Sequence, residues 1–199
     1  YKKTKKPCGT KLTTKELQEK CQVRSTPVRE ALTRLTQEGL VILTTNQGAK
    51  VIDMDLKDML EISDLSLLLD GYALQLALCS GERKAFINEL QKCLDKQKEC
   101  LNKSRTVAKK LESNSAFHKL FYEYTNNSRL KQFSMQLRGL FAIVSLNIMN
   151  DESNACSVTE HKNILNAIKN DKDELALEYL KVHFDNDRKR LIEQVRNGI

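Results

Sequence analysis

Val23-Arg-Ser-Thr-Pro-Val-Arg-Glu-Ala-Leu-Thr-Arg-Leu-Thr-Gln-Glu-Gly-Leu-Val41 is the stretch on which the fold turns. Thr26 before Pro27 reads as an N-cap followed by a first helical residue. Val28, Leu32, Leu35 and Leu40 then form one apolar stripe, and Gly39 supplies a stop. Working upstream, Thr13-Thr-Lys-Glu16 has the spacing of a capping box, and Leu17 and Cys21 continue a short helix that should end near Cys21. The break Gln22-Val-Arg-Ser25 is turn-sized, so two short helices meet as a helix-turn-helix whose second member opens with short polar and basic side chains. Working downstream, Val41–Thr45 and Lys50–Met54 are strand-like runs about Asn46-Gln-Gly48, a hairpin suited to serve as a wing.

Charge singles out the same region. Residues 1–50 carry eleven Lys and Arg against four Glu, which accounts for the whole formal net charge of +7, while the remainder is balanced. A basic segment of this kind is the part to suspect of touching phosphate. No apolar run is long enough for a membrane span, and Tyr1-Lys-Lys-Thr-Lys-Lys6 lacks the apolar stretch of a secretory signal. The six cysteines include no Cys-x-x-Cys pair, which argues against a zinc ribbon or a disulfide framework and fits a reducing cytoplasm.

From Asp55 onward the texture changes to long helical periodicity without proline. Six helices are expected, over about 55–79, 82–103, 106–125, 128–150, 157–169 and 172–196, with Asp151-Glu-Ser-Asn154 among the polar joints. The expected fold is mainly α. Residues 1–54 form a winged helix-turn-helix, residues 55–199 an antiparallel all-helical bundle, and the join is short enough for the two to pack closely.

All three histidines, His118, His161 and His183, fall in the helical part. If the last two helices form a hairpin turning near Lys172, His161 lies eleven residues before the turn and His183 eleven after it, so they face each other at one level. Asn114 and His118 are i and i+4 on an earlier helix, hence on one face. Three imidazoles and an amide oxygen could form a half-open metal site; neutral donors would leave the metal's charge uncompensated and favour an anionic guest. Spacing alone leaves open the plainer alternative of three separate histidines.

The residues from Val23 to Val41 closely resemble the signature of the GntR family of regulators, and Asn46-Gln-Gly-Ala-Lys-Val51 resembles its wing. Asn114-Ser-Ala-Phe-His118, Glu160-His161 with Ile164 and Ala167-Ile168, and His183 resemble the metal-binding pattern of the FCD effector domain of the FadR-like subfamily. The resemblance implies that the second helix enters the major groove, with Lys15, Arg24, Ser25, Thr26, Arg29, Gln47 and Gly48 at DNA-contacting positions. Arg29 is the candidate for a bidentate base contact; Lys15, Ser25 and Thr26 suit phosphates or base edges. It implies a divalent transition metal, zinc or nickel, on Asn114, His118, His161 and His183, a small organic acid as effector, and a homodimer on double-stranded operator DNA. It also implies a further helix before the motif, for which Tyr1–Gly9 gives little room.

Three departures stand out. Arg24-Ser25 reverses the usual Ser-Arg before Thr-Pro, so the operator should differ. Asn114 replaces the commoner Asp and removes a negative charge from the metal's surroundings. With Asp70 taken as the acid of the first effector-domain helix, the position four residues earlier is Ser66 where relatives often have Arg, leaving Arg138 as a substitute anion anchor. The expected function is a DNA-binding transcriptional regulator whose operator affinity is set by a carboxylate effector at the three-histidine site. The alternative is a metal-dependent hydrolase using the same histidines. A partner-binding helical protein without DNA activity would leave the basic first fifty residues unexplained.

Overall fold

The computed structural model describes residues 9–44, 48–102, 106–148 and 150–196. In chain order the elements are β1 (Lys11–Leu12), α1 (Thr14–Cys21), α2 (Ser25–Gln37), β2 (Val41–Thr44), β3 (Gly48–Val51), α3 (Leu56–Leu78), α4 (Arg83–Asn102), α5 (Val107–Glu123), α6 (Ser128–Ile148), α7 (Asp151–Lys169) and α8 (Asp173–Arg196). Among the described residues no helix is long and apolar enough to cross a membrane.

The Thr13 hydroxyl accepts the Glu16 N–H at 3.2 Å and opens α1, as its spacing predicts. The start of α2 differs from expectation. Arg24, in extended backbone, is the cap residue and makes no side-chain cap bond, so Thr26 is not the N-cap and Pro27 is the third helical residue. The whole first turn lacks intrahelical N–H partners, so proline is tolerated throughout it and marks a turn more than a residue. At the other end Gly39 takes φ 72°, the Leu40 N–H reaches the Leu35 carbonyl at 2.9 Å and the Gly39 N–H reaches Thr36 at 3.0 Å. This is a Schellman stop, and it turns the chain directly into β2.

The sheet has the order β1-β3-β2, antiparallel throughout, with Thr44 opposite Gly48 and Val41 opposite Val51. The second wing strand therefore runs over Gly48–Val51 and not Lys50–Met54: hairpin register pulls it toward the turn, and the chain beyond Val51 leaves to reach the α3 cap. β1, two residues long, pairs Lys11 with Lys50 and is too short to show any periodicity in sequence. Leu12, Val28, Leu32, Val41, Ala49 and Val51 form the small core between helices and sheet.

Asp55 and Asp58 cap α3 reciprocally. Asn150 and Ser153 do the same for α7, which begins at Asp151. The expected joint at 151–154 is thus a first helical turn, its polar residues serving the unpaired N–H groups. α7 and α8 are antiparallel around a tight turn in which Asp171 has φ 54°. Arg83 secures that turn, donating to the Ile168 carbonyl at 2.7 Å and pairing with Asp173 at 2.6 Å and Asp171 at 3.1 Å. Phe86, Phe117 and Phe121 are wholly buried at the centre of the bundle, worth roughly 1.5–3 kcal/mol each in transfer free energy. Met59, Val144, Ile148 and Leu191 form a further cluster against which Met54 and Leu56 pack, so the join is held to the helical body as its shortness predicts.

Candidate metal centre and nucleic-acid interface

His118 on α5, His161 on α7 and His183 on α8 converge in the bundle interior, each buried. One ring nitrogen of each lies within 4.8 Å of those of the other two. The hairpin arithmetic holds: the His161 and His183 ring centroids are 4.8 Å apart, and His118 joins them at 4.9 and 5.2 Å. His161 is further fixed by stacking on Phe117, with centroids 4.1 Å apart and planes at 7°.

What makes the cluster more than three neighbouring rings is the occupation of every Nδ1. His118 Nδ1 meets Asp70 Oδ2 at 2.6 Å, and the other Asp70 oxygen accepts the Tyr122 hydroxyl at 2.5 Å. His161 Nδ1 meets Gln97 Oε1 at 3.0 Å, and that amide is oriented by Nε2 donating to the Ser113 carbonyl at 2.9 Å. His183 Nδ1 meets Glu160 Oε2 at 2.6 Å; Glu160 is itself held by Asn186 at 2.8 Å and Arg190 at 3.2 Å. Each partner offers an acceptor, so the neutral form of each ring carries its proton on Nδ1 and leaves the Nε2 lone pair free. His118 and His161 Nε2 are 3.1 Å apart, and His183 Nε2 and Asn114 Oδ1 are buried without a hydrogen-bond partner. Lone pairs gathered in this way repel one another and stay unsatisfied, at about 1–3 kcal/mol for each orphaned group, unless a cation sits among them. The donor set fits a borderline transition metal.

The electrostatics diverge within the triad. Burial and the two neighbouring imidazoles hold His161 well below the usual histidine pKa. Burial also opposes charge on His183, but Asp187 and Glu160 outweigh it and raise its pKa. Burial would likewise raise Glu160, yet the bonds from His183, Asn186 and Arg190 prevail and bring it down to about 2.

Beside His118 lies a cavity of about 30 Å³, lined among others by Ser66, Asp70, Asn114, Tyr122, Arg138 and Phe141. This is room for about one water molecule. Arg138 donates to the Ser115 carbonyl at 2.9 Å, and burial lowers its pKa against the opposing pull of Asp70. Ser66 turns back to the Ile62 carbonyl at 2.8 Å. The structure therefore brings Asn114, the three histidines, Ser66 and Arg138 to one region. Sequence reasoning missed Gln97, Tyr122, Asp187 and Arg190 and gave Glu160 no role at His183. A scan for acceptors on helices facing the histidines could have proposed them, but only the tertiary packing selects among the many candidates.

At the other end, Lys15, Arg24, Thr26 and Arg29 are exposed and Ser25 and Gly48 half-buried. Thr26, Arg29, Glu30, Thr33 and Arg34 line one open face of α2. Gly48 has φ 91°, and a methyl group there would meet the Leu12 carbonyl oxygen at 2.6 Å. Gln47 lies outside the described residues, as do most of the wing turn and Tyr1–Cys8, the segment that gives little room for the further helix the resemblance implies.

Residues 3–51 match the family described as bacterial regulatory proteins, gntR family, and residues 61–186 match the FCD domain. An uncharacterized HTH-type transcriptional regulator of Bacillus subtilis (strain 168) is 23% identical over 191 residues, covering 96% of this chain and 85% of the relative. The Uxu operon regulator of Haemophilus influenzae is 26% identical over 203 residues, covering 93% and 75%. In fold, E. coli McbR/YncC superposes with a TM-score of 0.83 at 23% identity over 95% of this chain and 90% of that one. The metal-free FCD domain of TM0439 does so with a TM-score of 0.60 at 19% identity over 72% and 98%. These families and relatives are regulators and lend the hydrolase alternative no support; Glu160, the acid beside His161, is engaged by His183, Asn186 and Arg190 and not free to serve as a general base. The chain belongs to the GntR family of transcriptional regulators and carries an FCD domain.

Proposed function

We propose that this regulator reads operator DNA with α2 and its wing and senses a small carboxylate at a divalent metal held by His118, His161, His183 and Asn114. The observation that carries the sensing half is the commitment of all three Nδ1 atoms to acceptors while one ring nitrogen of each histidine lies within 4.8 Å of those of the other two. Zinc or nickel suits three imidazoles and an amide oxygen. When bound, the metal supplies a positive centre that a carboxylate can ligate. Asp70, Gln97 and Glu160 hold the imidazoles in the ligating tautomer, and Asn114 adds no charge, so an anionic guest gains more than it would beside a carboxylate ligand. Arg138 supplies a second positive charge to the same cavity, in the role left by Ser66.

For the DNA half, Arg29 is assigned to a guanine edge and Lys15, Ser25, Thr26 and Arg24 to phosphates or base edges, with Gln47 and Gly48 in the wing. We assign residues 1–54 to this role and residues 55–199 to sensing, with the protein acting in the cytoplasm. A homodimer fits the need for two half-sites. Leu65, Leu68 and Tyr72, at i, i+3 and i+7 on α3, leave an exposed apolar stripe, and Phe133 and Met135 are exposed on α6, which packs against α3.

Elemental analysis of wild type and of His118→Ala, His161→Ala and His183→Ala tests the centre. About one metal per chain, lost in each variant, is the expected result; a chain that stays metal-free after supplementation with zinc and nickel overturns the sensing half and leaves the DNA half intact.

A further inference from the structure

α6 borders both the cavity beside His118 and the winged domain. Ser134, Leu137, Arg138 and Phe141 line the cavity. Gly139 and Ile143 point the other way. At about 100° per residue, these two lie roughly 160° around the helix from the centre of the cavity-lining set. Leu40 fills the notch that Gly139 leaves: a methyl group at Gly139 would stand 2.9 Å from Leu40 Cδ1 and 3.0 Å from Cδ2. Ile143, one turn further along, packs on the winged-helix core. Leu40 is the residue whose N–H closes the Schellman stop of α2, so its side chain is anchored to the end of the recognition helix.

The cavity holds about 30 Å³, far less than any carboxylic acid needs. A ligand seated there therefore presses on the walls. Close-packed interiors transmit such a displacement to the next layer instead of absorbing it. We infer that α6 is the lever of this protein, and that filling the Arg138 cavity pushes α6 against Leu40 and so loosens or re-aims the end of α2.

The inference rests on the sensing role proposed above, but its test needs neither metal nor effector. Ser66→Leu places a larger side chain in the cavity from the opposite wall, on α3, and leaves the α6 sequence intact. Phe141→Ala empties the same wall and serves if the wedge variant does not fold. Hydrogen exchange of residues 35–41 is followed in each variant, with wild-type Leu40 and in a Leu40→Ala background. With Leu40 present, a change of about fivefold or more in exchange of these amides is expected, and in the Leu40→Ala background the cavity substitution adds nothing further. A folded cavity variant that leaves residues 35–41 unchanged overturns the lever, as does one whose effect is undiminished by Leu40→Ala. A wild-type chain that stays metal-free in elemental analysis would instead overturn the sensing role and would not alter this exchange readout.

Discussion

His118 and His161 bring their Nε2 atoms to 3.1 Å of each other while Asp70 and Gln97 hold the opposite ring nitrogens. Two neutral imidazoles so constrained cannot hydrogen-bond to one another, because each has spent its proton on its outer partner. A cation between the lone pairs, or an added proton, would relieve this crowding. Burial penalises the added proton on His161.

Removing an outer partner should weaken the centre without touching a ligand. Asp70→Asn or Gln97→Met is expected to lower zinc affinity about 10–100-fold, since each fixes an imidazole in its ligating tautomer. Competition against a chromophoric chelator measures this; unaltered affinity in both would mean the rings are oriented by packing alone.

Asn114→Asp restores a negative charge at a buried position. In chelator the variant should melt below wild type, because the new carboxylate is desolvated and has no cation to meet. With zinc the order should reverse, and thermal melts with and without the ion read both arms. A variant indifferent to zinc would place Asn114 outside the metal's reach.

On DNA, Arg29→Ala and Lys15→Ala should fail differently. Loss of a bidentate base contact costs about 1–3 kcal/mol and relaxes preference at one operator position, whereas loss of a phosphate contact weakens all sequences alike and reduces the salt slope by about 1. Titrations of a selected operator and a scrambled duplex at several salt concentrations separate the two. Equal losses on both duplexes for Arg29→Ala would reassign that residue to the backbone.

Gly39 stands at φ 72° with no heavy atom within 4 Å of where a Cβ would be. Gly39→Ala should therefore cost only the left-handed backbone penalty, about 1–2 kcal/mol. Urea unfolding checks this, and a much larger loss would point to a clash the open surroundings do not contain.

Burial pushes the Cys93 thiol up to about 11, with nearby Lys96 opposing. The thiolate is the reactive form, so at pH 8 Cys93 should resist iodoacetamide while exposed Cys21, Cys79 and Cys156 are labelled. Its labelling rate should climb about tenfold per pH unit toward 11. Mass spectrometry of the modified chain gives the site-by-site rates, and rapid labelling of Cys93 at pH 8 would show that α4 opens in solution.

The elements that local chemistry controls are legible from the residues alone. Thr13, Pro27 and Gly39 announced two helices and a turn because capping, ring closure and left-handed backbone act within a few residues. Six apolar periodicities gave six helices, and an eleven-residue symmetry about Lys172 placed His161 level with His183. Local signals are ambiguous in two places: Asp151–Asn154 looks like a loop because a capped first turn and a polar joint use the same residues, and the span of β3 is set by hairpin register. Which groups meet across helices is settled by packing. Asp70 with His118, Gln97 with His161 and Glu160 with His183 are separated by 48, 64 and 23 residues. No periodicity links them, since each contact depends on how two helices rotate about their axes when their apolar faces pack. The seat of Leu40 in Gly139 is of the same kind, a choice made by the shape of one surface against another.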